Sequence, residues 1–455
     1  MIWLWPLSAA HAEALTLEEA LRRGLDTSEQ VELADAARER AAGDVRKARA
    51  GHFPQVGAQL AYTHQFASEY DGLFDVPTGP TGYGTPTTTA PTTTTTTDDG
   101  GGGGLPFGAD NTWRLTFSAT QPIWSGNRVI AQDRMSSTSV DVAELGWRST
   151  RAAVVLSIAR AWYDAALADR LLDIARSTLE QAEATYENAR LSSEVGRGAE
   201  FDVLRAQVEV ENQRVAVIQA ERARVVARLM LANLLDLDPN ALEQAVDLEA
   251  IEPAETVASE LVGVPSSGER VGVQQAEAGV FLSEQALVLS RSYALPSLSA
   301  NAQVGWVAWP GEVLPPLPGS DWRDTVAVGA TLTVPLFGGG AVSGELRNAR
   351  AGISESHTRL EQAMEADRAE AIDAAEQLRA AEAQWEATSG TVEQAERAYA
   401  IAVVRFDEGV SRQIELADAR LLRQRALANR AQAARDLQVA RIRVALLPHL
   451  PFQTR

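Results

Sequence analysis

The 455-residue chain has no cysteine, which excludes a disulfide framework, thiolate catalysis and an acylated N-terminal cysteine as a lipid anchor. Its five histidines, His11, His52, His64, His357 and His449, are scattered without the spacing of a zinc-protease helix. No Gly-Lys-Ser/Thr phosphate loop occurs, and neither Gly196-Arg197-Gly198 nor Gly338-Gly339-Gly340 has the spacing of a dinucleotide fingerprint. No base and nucleophile pair up, so the sequence predicts no enzyme, no metal site and no cofactor. Positive charge is also short: 41 Lys and Arg against 61 Asp and Glu leave a formal charge of −20. A phosphate backbone needs a basic surface, which excludes a nucleic-acid partner. Aromatics make up only 6% of residues, which suits long exposed helices better than a thick globular core. No run of about 18 apolar residues exists beyond the N-terminal segment, so no transmembrane helix is expected.

What is present is repetition. Gln121-Pro122-Ile123-Trp124-Ser125-Gly126-Asn127 lines up with Val334-Pro335-Leu336-Phe337-Gly338-Gly339-Gly340, and the offset of 213 residues holds without a gap through Tyr186/Tyr399, Gly196/Gly409 and Ala206/Ala419. Each copy has one order: helix, alternating strand, loop, alternating strand, Pro-aromatic-Gly corner, very long helix, glycine turn, returning helix. The expected divisions are a first repeat over 13–240, a linker over 241–265, a second repeat over 266–447 and a tail over 448–455. Residues 1–12, an apolar stretch ending in Ala10-His11-Ala12, have the outline of a secretory signal, although the basic n-region is missing.

Thr16-Leu17-Glu18-Glu19 reads as a capping box and predicts a helix to about Ala50, ended by Pro54. Four period-two runs follow. Val56, Ala58, Leu60 and Tyr62 alternate with Gly57, Gln59, Ala61 and Thr63, and Trp113, Leu115, Phe117 and Ala119 with Arg114, Thr116, Ser118 and Thr120. Leu298 to Trp306 and Val326 to Val334 repeat the pattern. Runs of about nine such residues match tilted strands crossing a bilayer, and Tyr62, Trp113, Trp124, Trp306 and Phe337 fall at strand ends, where interfacial aromatics belong. Between the first two strands, over 65–111, lies a Thr- and Gly-rich loop that cannot bury apolar area and reads as an external spacer.

After each corner a helical pattern of about 60 residues follows, spanning about 90 Å. In the first returning helix Phe201, Leu204, Val208, Val215, Ile218, Val225 and Leu229 keep three-four spacing, which predicts a left-handed coiled coil. The polar breaks Glu211 and Arg222 recur in the second copy as Gln424 and Arg435 and predict a wet or charged surface there. Elsewhere the carboxylates lie on helix faces, where solvation is the default.

The doubled strand–loop–strand–hairpin plan, the Pro-Ile-Trp-Ser-Gly and Pro-Leu-Phe-Gly-Gly corners (Pro122 to Gly126, Pro335 to Gly338–Gly339) and the turns around Glu194-Val195-Gly196-Arg197-Gly198 and Glu408-Gly409-Val410-Ser411 resemble the TolC-type outer-membrane efflux proteins. The resemblance covers about Leu15 to Leu447. It implies a mixed α and β membrane protein: a homotrimer in which each chain gives four strands to a twelve-stranded barrel in outer-membrane lipid and its helical hairpins to a periplasmic α-barrel. Open strand edges in lipid require closure by other chains, which points the same way. The resemblance further implies an export duct joined to a periplasmic adaptor (membrane fusion) protein and an inner-membrane transporter of RND, ABC or MFS type. The adaptor would meet the tips at Val195, Gly196, Gly198, Gly409, Val410 and Ser411. An acidic constriction maps onto Glu415 and Asp418, with Asp202 matching an acid that well-studied members use in a closing link. The family arginine two residues beyond the second turn glycine is replaced here by Ser411, beside Arg412. A secreted or periplasmic coiled-coil scaffold or adhesin would use the same helices without a pore; the four alternating strands speak against it.

Overall fold

The structure, a computed structural model, describes residues 16–66, 110–196, 199–238, 269–310, 313–315 and 322–452. The expected secretory segment, nearly all of the Thr- and Gly-rich loop, the linker over 241–265, Gly198 and the last three residues lie outside the described residues.

The first helical stretch is two helices, α1 (Leu17–Thr27) and α2 (Glu29–Ala50), rather than the single one expected. Thr16 caps α1 as a box: the Glu19 amide donates to the Thr16 hydroxyl at 3.3 Å and the Thr16 amide to the Glu19 carboxylate at 3.0 Å. Ser28 then turns extended, at φ −69° and ψ 115°, and α2 restarts with Glu29 and Glu32 in its first turn. The break has a physical purpose. Ala20, Leu21 and Leu25 of α1 are buried, whereas α2 buries nothing in the chain.

β1 (Gln55–His64) and β2 (Asn111–Trp124) lead through a corner to α3 (Arg128–Glu194) and α4 (Glu200–Leu234). The second copy supplies α5 (Val271–Ser292), β3 (Ser297–Ala308), β4 (Arg323–Thr333), α6 (Ala341–Asp407) and α7 (Gln413–Leu446), closed by a short 3-10 turn at Leu447–His449. The long helices α3 and α6 are both 67 residues, about 100 Å at 1.5 Å per residue. Two compact units are distinguished, and each draws on both copies: described residues of Met1–Gly43, Ser137–Glu284 and Ala351–Arg455 make one, those of Asp44–Ser136 and Gln285–Arg350 the other.

In the second unit the strands form one antiparallel sheet in the order β1-β2-β3-β4. Its register puts like with like. One face carries the rows Ala58–Phe117–Val304–Val326 and Val56–Ala119–Ala302–Val328; the other carries Gln59–Thr116–Gly305–Thr325 and Gly57–Ser118–Gln303–Ala327. Alternation at period two thus builds one apolar and one polar sheet face. The apolar face is bare in the single chain: Val56 is 73% exposed and Val328 82%. At one end Tyr62 stacks on Trp113 with ring centroids 4.9 Å apart, and Phe117 meets Trp306 edge-on at 6.1 Å. β4 stops at Thr333, so Val334 falls outside the strand, and Phe337, 92% exposed, stands four residues beyond it.

The strand–helix corners repeat in detail. The Arg128 amide donates to the Ser125 carbonyl at 3.1 Å, and the Ala341 amide to the Gly338 carbonyl at 3.1 Å. Gly126 and Gly339 both take left-handed φ (62° and 61°), as do Asn127 and Gly340 (68° and 87°). The left-handed pair in the second corner is therefore Gly339–Gly340, one position beyond Gly338. Pro122 sits at a register shift between β2 and β3, the kind of bulge that admits a residue without an amide proton.

The core of the first unit is cross-copy. Leu21 and Leu25 of α1, Val155, Ile158 and Trp162 of α3, Leu231 of α4 and Ile442 and Leu446 of α7 pack together. Gly24 is small because a side chain there would strike Ile158, whose Cδ1 lies 2.4 Å from an added Cβ.

Candidate functional site: the hairpin tips

Each hairpin turns on a residue in the left-handed conformation, which glycine, without a Cβ, adopts at no steric cost. α3 ends at Gly196 (φ 75°), whose amide donates to the Ser193 carbonyl at 2.9 Å. α6 ends at Gly409 (φ 73°), with two bonds that define a Schellman cap: Gly409 amide to Phe406 carbonyl at 2.9 Å and Val410 amide to Arg405 carbonyl at 2.9 Å. The returning helices then start at matching positions, Ala199 and Arg412, both extended and neither offering a side-chain cap. In place of a cap, acids occupy the first turn: Glu200 and Asp202 in α4, Glu415 in α7. There they oppose the positive end of the helix dipole.

Val195 is 70% exposed and Val410 67%, as an outward-facing contact requires. Ser411 is half-buried, and its hydroxyl oxygen, like the amide oxygen of the buried Gln413, has no partner among the described residues. Glu415 and Asp418 are exposed on one face of α7, while Asp202 is half-exposed on α4. Arg405 reaches Glu415 at 3.8 Å, with both side chains about half exposed. This pairing falls within one hairpin.

The sequence reading missed the strongest tip contact. Arg420, 4% exposed, pairs with Glu209 of α4 at 3.2 Å and so ties the second hairpin to the first. Further along α7, Arg435 pairs with Asp164 of α3 at 2.7 Å. Burial opposes the charge of Arg435, but the hydrogen-bonded Asp164 and Asp436 outweigh it and raise its pKa. Of the wet or charged surface expected at this position, the charged alternative holds: Arg435 makes a part-buried ionic contact. For Arg435 the available signal was its recurrence, as Arg222, in the first returning helix; Arg420, matched by Gln207, had none. Among the described residues no group of His, Cys, Asp or Glu is arranged to hold a metal, and no helix is long and apolar enough to cross a membrane.

A bare apolar sheet face, two glycine-turned hairpins and an internal duplication coincide with one sequence profile, described as outer membrane efflux protein, which matches residues 20–236 and 268–447. The chain belongs to the outer membrane efflux protein family. It is 27% identical over 281 residues to the probable efflux pump outer membrane protein TtgC of Pseudomonas putida, a match covering 61% of this chain and 56% of that protein. The chain thus spans about half the length of the curated relatives it matches. The outer membrane protein VceC of Vibrio cholerae superposes with a TM-score of 0.76 at 18% identity, over 96% of this chain and 97% of that one. The CmeC outer membrane channel of Campylobacter jejuni gives 0.76 at 15% identity, over 96% and 87%. At such identities the likeness establishes the fold. Family membership and the apolar sheet face assign this chain to the outer membrane.

Proposed function

We propose that this efflux-family chain is a passive export duct, working as a homotrimer whose three sheets close a twelve-stranded barrel in outer-membrane lipid and whose hairpins line a periplasmic passage. The observation that carries the reading is the sheet: one apolar face, one polar face, and edges at β1 and β4 left open on the same chain as two 67-residue helices. Open edges in hydrocarbon leave backbone groups without partners, so other copies must supply them. The exposed Val195, Gly196, Gly409, Val410 and neighbouring Ser411, with Gly198, form the surface that an adaptor (membrane fusion) protein meets. An inner-membrane transporter of RND, ABC or MFS type supplies the energy. Glu415 and Asp418, with Asp202, form the constriction and favour cations.

Native mass spectrometry of detergent-extracted protein should give three chains, and planar bilayers should show an ion conductance from the same preparation. A folded monomer without conductance, or recovery in the soluble periplasm, would replace this reading with the coiled-coil scaffold.

A further inference from the structure

Arg160, in the middle of α3, is half-buried. Among the described residues its guanidinium has neither a hydrogen bond nor an ion pair; Asp164, one turn on, accepts at its Oδ1 from Arg435 Nε at 2.7 Å. Arg160 lines two cavities. One, of about 420 Å³, is shared with Arg435, Arg443, Gln377 and Gln384 and a single acid, Asp436. The other, of about 780 Å³, runs between α3 and α4 along Val226, Met230 and Leu234.

The two neighbouring arginines are already placed. Asp164 and Asp436 hold Arg435, and Asp373 holds Arg443 at 3.2 Å; neither Asp164 nor Asp373 lines the smaller cavity. Burial, followed by the fields of Arg443 and Arg435, lowers the pKa of Arg160, against the pull of Asp164. A guanidinium nevertheless stays charged at any physiological pH, and a partly desolvated cation without an acceptor is unfavourable. Its fork fits a carboxylate with two parallel bonds. The groove beyond it is open and mixed: Asp164 and Arg222 line it beside Arg160, and its apolar side is accessible, with Met230 61% exposed and Val226 39%.

We infer that the two cavities that share Arg160 bind an amphipathic carboxylate, its head on Arg160 and its apolar body along Val226, Met230 and Leu234. The inference does not depend on the duct reading, because every residue it uses belongs to the helical unit.

The test uses the full-length protein in lipid nanodiscs and decanoate as the probe, with decanol as the control that lacks the charge. Calorimetry should show decanoate bound and decanol not. Arg160→Gln should weaken decanoate about tenfold or more, as expected for losing a charged hydrogen-bonding pair, while Arg160→Lys keeps part of the affinity. Met230→Glu, at an exposed position, should block the groove and abolish decanoate binding without touching Arg160; it serves if Arg160→Gln fails to fold. Absence of decanoate binding to the wild type overturns the proposal; if Arg160→Gln then lowers the temperature at which the oligomer dissociates, an acidic side chain of a neighbouring copy is the partner of Arg160 instead. Equal decanoate binding by wild type and Arg160→Gln overturns the proposal.

Discussion

The two returning helices are copies of each other, and the chain uses them in opposite ways. α4 carries the larger apolar residues, yet Phe201, Leu204, Val208, Val215, Ile218, Val225 and Leu229 are 46–69% exposed, and only Ala206, Val210, Leu231 and Ala232 are buried. α7 has alanine at six of its fourteen buried positions: Ala419, Ala426, Ala431, Ala433, Ala434 and Ala440. Small side chains let α7 approach its neighbours closely inside the chain, while the bulky stripe of α4 is left for another surface. An exposed apolar stripe this long marks an interface, and the proposed trimer supplies the partner. Between these two helices the larger apolar residues are the more exposed, the reverse of the usual rule.

The largest effect should come from charging that stripe. Val215→Asp with Ile218→Asp places two carboxylates on a surface that the trimer would desolvate, which costs several kcal/mol per buried charge. Native mass spectrometry should show the trimer lost, with helical circular dichroism preserved. The matching positions in α7 are Ala428 and Ala431, and Ala431 is 8% exposed within one chain. Ala431→Asp should therefore lower the melting temperature of the chain itself. If both helices respond alike, the contrast between them fails.

The corners give the next effect. Gly126 and Gly339 share a left-handed φ, but a Cβ on Gly126 would lie 2.8 Å from the Cβ of Leu295, while one on Gly339 meets nothing within 4 Å. Gly339→Ala should cost about 1–2 kcal/mol, the left-handed penalty alone. Gly126→Ala should add overpacking of about 1–3 kcal/mol. Thermal unfolding of the two variants in one detergent reads the difference; equal losses would mean that Leu295 gives way freely.

Much of this was legible in the sequence because two periods dominate it. Alternation at period two gave all four strands and both sheet faces, and the register pairs Ala58 with Phe117 and Val304 with Val326 as that alternation demands. The long helices were legible from the duplication and from Gly196 and Gly409. The break at Ser28 was not read, although a serine ahead of Glu29 is a helix-start signal; continuous helix-forming composition on both sides masked it. The 213-residue offset sets Gly126 against Gly339 and Asn127 against Gly340, and those are the positions that turn left-handed, with Gly338 accepting the Ala341 amide as Ser125 accepts that of Arg128. Arg420–Glu209 and Arg160 were not readable at all. Burial of a charged residue depends on which helices meet, and no local pattern encodes that.

The tip ion pair should have a smaller effect. Glu209→Ala leaves Arg420, with a side chain only 5% exposed, without its carboxylate. Removing one partner of a fully buried pair costs 3–5 kcal/mol; the partial exposure of Glu209 reduces this to about 2 kcal/mol. Breaking the exposed Arg405–Glu415 pair should cost about 0–1 kcal/mol. Chemical denaturation of Glu209→Ala and Arg405→Ala ranks the two contacts, and the reverse order would mean that water reaches Arg420.

The smallest structural effect, and the one closest to function, lies where the copies differ in charge. The offset of 213 residues sets Glu415 against Asp202 and Asp418 against Arg205. The second tip thus carries two negative charges where the first carries one of each sign. Three copies around one passage would bring six carboxylates together from the second hairpin and a balanced set from the first. Like charges about 6 Å apart repel by about 0.7 kcal/mol even at the dielectric constant of water, and by more when confined. Such a ring draws in cations and turns anions away. Because Glu415 and Asp418 are exposed in the chain, replacing both by alanine should leave folding and trimer intact. The reversal potential in a salt gradient across a planar bilayer should then lose its cation preference. Asp202→Ala with Arg205→Ala removes one charge of each sign and should move that potential little. Adding acid to the first tip by Arg205→Asp should strengthen cation preference. If the first-tip double variant abolishes selectivity and the second-tip variant does not, the constriction belongs to the first hairpin.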